Sequence, residues 1–431
     1  MLEKLFQLQQ HGSDVRTEVL AGLTTFMTMA YILFVNPAIL GQTGMDPGAV
    51  FVATCLAAAF GSACMGLIAN YPIALAPGMG LNAFFTFTVV QQMGYRWQVA
   101  LGAVFISATL FLLLSLFRIR EWIIDSIPLP LRSAISAGIG LFLALIALKT
   151  AGLVVASPAT LVTLGRLDNA PALLAIAGFV LIVALEARCV TGAVMIGILS
   201  ITAVSALLGI VSFKGVVSLP PSLAPTFLQL DIRAAFDLGM VSVIFAFLFV
   251  DLFDNTGALI GVAKRAGLMR SDGHLPNMGS ALIADSNAAL AGSLLGTSTT
   301  TSYIESAAGV AAGGRTGLTA CVVAVLFLLA LFFAPLAAIV PAFATAPALL
   351  FVAVLMTSGL AEIDWHDIAV AAPVAITALT MPLTFSIANG IAFGFITWVV
   401  VHALAGRWRG LKPMMIVLAF VFTAKFAFAS S

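Results

Sequence analysis

Pro72-Ile-Ala-Leu-Ala-Pro77-Gly78-Met-Gly80-Leu-Asn82-Ala-Phe-Phe85 and Gly296-Thr-Ser-Thr-Thr-Thr-Ser302-Tyr-Ile-Glu305-Ser-Ala-Ala-Gly309 break two otherwise apolar runs. Two prolines and two glycines interrupt the first. In the second, the six Ser/Thr residues 297–302 favour an extended backbone over a helix. Backbone that is not helical survives at membrane depth only where protein or a water-filled cavity satisfies it. Interrupted segments at corresponding positions in two halves of a membrane chain mark a transporter's binding site.

The surrounding composition requires a membrane. Of 431 residues, 61% are hydrophobic and 9% charged, and the mean hydropathy is +1.14. A soluble chain carries roughly 25% charged residues, so lipid must solvate most of this surface. With about 20 apolar residues per span, the chain accommodates about fourteen transmembrane helices and no large soluble domain. Nineteen Lys and Arg against eighteen Asp and Glu leave a net charge of +1, which argues against a nucleic-acid partner. Cys55, Cys64, Cys189 and Cys321 show neither metal-ligand spacing nor a disulfide framework, and are expected as small buried residues. The first apolar run, near Val19–Leu40, has no A-x-A-like cleavage site and is expected to be the first span rather than a cleavable signal. The stretch 413–429, which contains Lys425, either crosses the membrane or lies on it.

With a cytoplasmic N-terminus, thirteen Lys and Arg fall on the inner side, Arg118, Arg120, Arg270 and Arg315 among them, and five, including Lys214, on the outer side. This bias follows the positive-inside rule. Leu33-Phe-Val-Asn36 in span 1 resembles Leu252-Phe-Asp254-Asn255 in span 8, and the two broken segments become spans 3 and 10. Each pair is seven spans apart. An odd separation would make the two halves inverted repeats.

An ionisable side chain inside a bilayer costs several kcal/mol unless paired or solvated, so each is a functional candidate. Asp251 and Asp254 stand three residues apart in span 8, on one helix face with Asn255. Glu305 follows the Ser/Thr run. Ser302-x-x-Glu305 also fits a capping box, in which Glu305 only satisfies helix donors. Asn82 is a candidate ligand or a helix cap. Asp272, His274 and Asp285 are expected to tie down the turn before span 9, and Glu362, Asp364, His366 and Asp367 to form a solvated loop. Carboxylate acceptors facing free N–H groups at broken helices suit a planar heterocycle with both donors and acceptors. A buried carboxylate also suits a group that takes up and releases a proton. An inorganic anion is poorly served by two carboxylates.

Phe26-Met-Thr-Met-Ala-Tyr-Ile-Leu-Phe-Val-Asn-Pro37, Ala76-Pro-Gly-Met-Gly-Leu-Asn-Ala-Phe-Phe85, Val250-Asp-Leu-Phe-Asp-Asn-Thr-Gly257 and Ile304-Glu-Ser-Ala-Ala-Gly-Val-Ala-Ala-Gly-Gly-Arg-Thr-Gly-Leu-Thr319 resemble the AzgA-like branch of the nucleobase–cation symporter-2 family. Its members are adenine, guanine and hypoxanthine permeases, and the likeness runs over essentially the whole chain. The resemblance implies an all-α integral membrane fold of about fourteen helices in two inverted seven-helix repeats, with short strands breaking spans 3 and 10. A core domain would comprise 1–128 and 236–341, a gate domain 129–235 and 342–410, and 411–431 would be a C-terminal apolar segment.

By the same resemblance, Asp251 and Glu305 hold a purine and Asn82 lies beside it. Phe253, Thr301 and Ser302 complete the substrate-binding candidates, while Asp254, Asp251 and Asn255 serve proton coupling. The expected protein is an inner-membrane purine:proton symporter with an elevator-like movement. It would be a homodimer through the gate domain, without cofactor, metal or enzymatic activity. Two other readings compete: an anion transporter or channel of related fold, and an intramembrane prenyltransferase holding Mg²⁺ on Asp251 and Asp254.

Overall fold

Asp14 starts the first long helix, Val15–Met29, by accepting the Thr17 N–H at 2.9 Å. At Ala30 and Tyr31 the ladder tightens, with the Leu33 N–H reaching the Ala30 carbonyl and the Phe34 N–H that of Tyr31. Pro37 also brings no N–H to the Leu33 carbonyl. The helix resumes as Ile32–Leu40. Other starts follow the same local chemistry: Asp46 caps Pro47–Cys64, Asn169 caps Ala170–Ala187 and Ser386 caps Ile387–Leu404.

The computed structural model describes residues 2–117, 126–213, 215–268 and 275–429, except the side chains of Leu238, Asp254, Arg409, Lys425, Phe428 and Ala429. Arg118, Arg120, Lys214, Arg270, Asp272 and His274 therefore lie outside the described residues. Among the described residues, nine helices are long and apolar enough to cross a bilayer, from Val15–Thr43 to Ile387–Leu404. Ala193–Leu207, Ile368–Leu383 and Pro413–Ala424 are shorter apolar helices. Large apolar side chains such as Leu116, Val180, Leu329 and Leu379 face outward, as lipid contact demands.

The broken segments form the centre. Strand β1 (Leu75–Pro77) is followed by the short helix Met79–Ala83 and then a wide π-helix, Phe84–Gln92. A second, exposed pair lies between helices Leu129–Thr150 and Ala170–Ala187: β2 (Val154–Ser157) and β3 (Leu161–Leu164). Strand β4 (Thr300–Ser302) leads to the helix Ser306–Ala311. β1 and β4 pair antiparallel, with Leu75 opposite Ser302, Ala76 opposite Thr301 and Pro77 opposite Thr300.

Helices pack in two groups. Val15–Met29, Pro47–Cys64, Trp97–Leu116, Met278–Leu295 and Gly317–Ala330 contact one another, and Leu129–Thr150 packs with Ala342–Thr357 and Ile368–Leu383. Close approach depends on small residues. A side chain at Gly309 would meet Thr25 and Ala21, and one at Gly317 would strike the Gly66 backbone. The segment 413–429 forms a helix against Ile387–Leu404; its Phe422 also touches Phe249 of Leu238–Arg265, with ring centres 6.2 Å apart.

Of the four cysteines expected as buried, Cys55 alone is fully so. Cys64 and Cys321 are half-buried, and Cys189 is exposed in a turn at φ 56°, because the helix Ala170–Ala187 ends before it.

Candidate functional site

The Ser/Thr run is held in place residue by residue. Asn36 donates to the Thr297 hydroxyl at 2.9 Å and to Thr54 at 2.7 Å. The Ser298 hydroxyl bonds the Asn82 side chain, and the Gly78 N–H donates to the Thr299 carbonyl at 2.9 Å. Past the strand, the Tyr303 hydroxyl donates to the Pro77 carbonyl at 2.6 Å, and its N–H to the Ala74 carbonyl at 3.0 Å. The Ala74 N–H in turn donates to Ser306 at 3.0 Å. Proline cannot donate to a ladder, so Pro77 joins through its carbonyl. Hydroxyl and amide groups thus supply in the interior what water supplies at a surface.

Glu305 stands at the end of this strand, half-buried, just before the helix Ser306–Ala311. Its side chain makes no capping bond. It accepts instead the Tyr31 hydroxyl at 2.5 Å, while the Thr28 hydroxyl, which donates to the Thr25 carbonyl at 2.8 Å, lies 3.4 Å from its backbone carbonyl. The capping-box alternative is not what forms: Ser302 turns to Asp285, at 3.5 Å, and leaves the helix start. The reason is geometric. Strand pairing directs the Ser302 side chain toward Met278–Leu295.

Asp251, Phe253 and Asn255 lie on the helix Leu238–Arg265, which packs against β4, Ser306–Ala311 and Met79–Ala83. Asp251 is 2% exposed and Asn255 0%, so both face protein rather than lipid. Phe253 is also buried and stacks on Phe249 with centroids 6.2 Å apart. Asp254 belongs to the same helix; its side chain lies outside the described residues.

Several buried polar atoms here have no hydrogen-bond partner among the described residues: both amide atoms of Asn255, the Asn82 nitrogen, and the Thr299 and Thr301 hydroxyls. Each such group costs about 1–3 kcal/mol if left unsatisfied. Their concentration on the elements around β1 and β4 is what a polar occupant would relieve.

Three polar residues have partners that the local sequence does not reveal. Tyr31 and Asn36 look like ordinary members of an apolar span, and only their partners reveal them. Asp285, expected to tie down the turn before span 9, lies well inside the helix Met278–Leu295, fully buried. An acid inside an apolar run is itself the signal; its nearness in sequence to the charged loop concealed it. Glu18 is buried for a different purpose. It accepts the N–H groups of Arg315, Thr316 and Thr319 at 2.9, 3.3 and 3.3 Å, and the Thr319 hydroxyl at 2.5 Å, so it tethers the start of Gly317–Ala330. Among the described residues, no three His, Cys, Asp or Glu side chains gather as metal ligands do.

Known proteins give this arrangement its context. A sequence profile of a permease family matches residues 16–393. The adenine permease AdeP of Escherichia coli (strain K12) is 52% identical over 428 residues, covering 99% of this chain and 96% of its own. The guanine/hypoxanthine permease PbuG of Bacillus subtilis (strain 168) is 47% identical, covering 99% and 100%. The transmembrane domain of a cyanobacterium bicarbonate transporter, BicA, shares the fold alone, with a TM-score of 0.65 at 17% identity over 89% of this chain and 95% of that one. The protein is a transporter and not an enzyme. It is a multi-pass membrane permease, and it belongs to the nucleobase–cation symporter-2 family whose motifs it carries.

Proposed function

We propose that this protein imports purine nucleobases together with protons across the inner membrane, with its N-terminus in the cytoplasm. The observation that carries the reading is Glu305, held between β4 and the helix Ser306–Ala311, both of which pack against the helix that bears Asp251. Its relatives AdeP and PbuG are an adenine permease and a guanine/hypoxanthine permease, which supports a purine as the occupant.

In this mechanism Glu305 and Asp251 accept hydrogen bonds from purine N–H groups. The Asn82 and Asn255 amides and the Thr301 hydroxyl, with Ser302 beside them, meet the remaining donors and acceptors. Phe253 contributes an aromatic surface. A proton on Asp254 or Asp251, with Asn255 beside them, removes a charge from the site, so that loaded and empty sites differ in their cost of crossing the low-dielectric interior. Movement is elevator-like: the core (1–128 and 236–341) slides against the gate (129–235 and 342–410), and two copies associate through the gate. The excess of Lys and Arg on one side supports the orientation.

Uptake of radiolabelled adenine, guanine and hypoxanthine into proteoliposomes, with and without an inward proton gradient, tests this. Wild-type uptake driven by the gradient, and lost in Asp251→Ala and Glu305→Ala, is expected. Undiminished uptake by those variants overturns the roles of both acids. Bicarbonate- or sulfate-driven current without purine uptake overturns the substrate class, although the two carboxylates repel an anion.

A further inference from the structure

Tyr31 lies where the first span breaks, between Val15–Met29 and Ile32–Leu40. It is 1% exposed, so its hydroxyl is kept from bulk water and must find an acceptor inside the protein. It donates to Glu305 Oε1 at 2.5 Å. One turn earlier, the Thr28 hydroxyl, which donates to the Thr25 carbonyl at 2.8 Å, lies 3.4 Å from the backbone carbonyl of the same residue. A further turn back, Gly309 rests against Thr25 and Ala21 with no space for a side chain, which sets the register between this span and Ser306–Ala311. Tyr31 thus holds the Glu305 carboxylate, and the helix before it packs closely on the segment that follows Glu305.

We propose that Tyr31 is a positioning residue for the substrate: its hydroxyl locks the Glu305 carboxylate in one orientation, occupying Oε1 and presenting Oε2 to a nucleobase N–H. This rests on the transport reading above. A glutamate has substantial rotamer freedom to lose on ordering. Tyr31 removes that freedom before the substrate arrives, so less binding energy is lost in fixing the carboxylate. A hydrogen bond to a charged group is also among the stronger ones. Phenylalanine at this position keeps the shape and packing and deletes only the lock.

The test is nucleobase binding to purified wild type, Tyr31→Phe, Glu305→Gln and the double variant, with the unliganded melting temperature of each. Tyr31→Phe is expected to weaken binding about tenfold with a near-normal melting temperature. In the Glu305→Gln background the same change should cost about twofold or less, because the residue it acts through has lost its charge. Difference infrared spectra of the unliganded protein give a readout independent of affinity. The carboxylate band that disappears in Glu305→Gln should shift in Tyr31→Phe. Wild-type affinity in Tyr31→Phe, an equal loss in both backgrounds, or an unmoved carboxylate band overturns the proposal. A wild type that binds no nucleobase overturns the transport reading instead.

Discussion

The Asn36 amide of the first span donates to the Thr297 hydroxyl, 261 residues further along the chain, at 2.9 Å. The same nitrogen donates to Thr54 in the second span at 2.7 Å. One side chain thereby ties two helices to the residue from which the buried strand β4 sets out. Asn36 is fully buried, so water cannot replace these bonds if they are lost.

Asn36→Leu, close in size but without donors, should lower stability by about 1–3 kcal/mol, the cost of leaving buried hydroxyls with fewer partners. Because the loss falls at the root of the strand, nucleobase uptake should fall further than the folded fraction does. Thermal unfolding in detergent and uptake in proteoliposomes, measured on the same preparation, would separate the two effects.

Glu18→Ala should destabilise the protein on the order of 3 kcal/mol, since several backbone donors around Arg315 and Thr316 lose their acceptor together. Glu18→Gln keeps the shape and one acceptor oxygen and should cost less than Glu18→Ala. The order of the two melting temperatures below the wild type is the measurement. A Glu18→Ala protein as stable as wild type would show that water substitutes for the carboxylate.

Asp14 sits outside the spans, and the Thr17 backbone N–H beside it holds its carboxyl below the usual aspartate value. A folded value below the unfolded one gives stability that is present above about pH 3.9 and is lost as the pH falls through the folded value. Asp14→Ala should therefore reduce amide hydrogen-exchange protection in the first turn of Val15–Met29 at neutral pH. The difference from wild type should narrow progressively below about pH 4. An unchanged difference at low pH would assign the cap to the backbone rather than to the carboxylate.

Particular residues show how far local chemistry reaches. Pro77, with no N–H, and the run Thr297–Ser302 announce interrupted helices, because these preferences act within a few residues. Asp14, Asp46, Asn169 and Ser386 cap helix starts by equally short-range chemistry. Asp285 shows the limit: the proximity of a charged loop is visible in sequence, but the depth of a side chain within a packed bundle is not. Tyr31 shows it more sharply. A tyrosine in an apolar run needs an acceptor somewhere, and nothing near it in sequence identifies Glu305, 274 positions away.

The amino-acid sequence by itself determined that lipid solvates this protein, that two spans are broken, and that Asp251 and Glu305 lie in apolar surroundings. Each follows from composition or from neighbours within a helical turn. Only the tertiary structure decided that Ala76 faces Thr301, that Ser302 turns to Asp285 rather than to a helix start, and that Tyr31 holds Glu305. Such contacts are chosen by which distant surfaces pack together and by the need of each buried polar atom for a partner, and that choice is made only when the whole chain has closed around them.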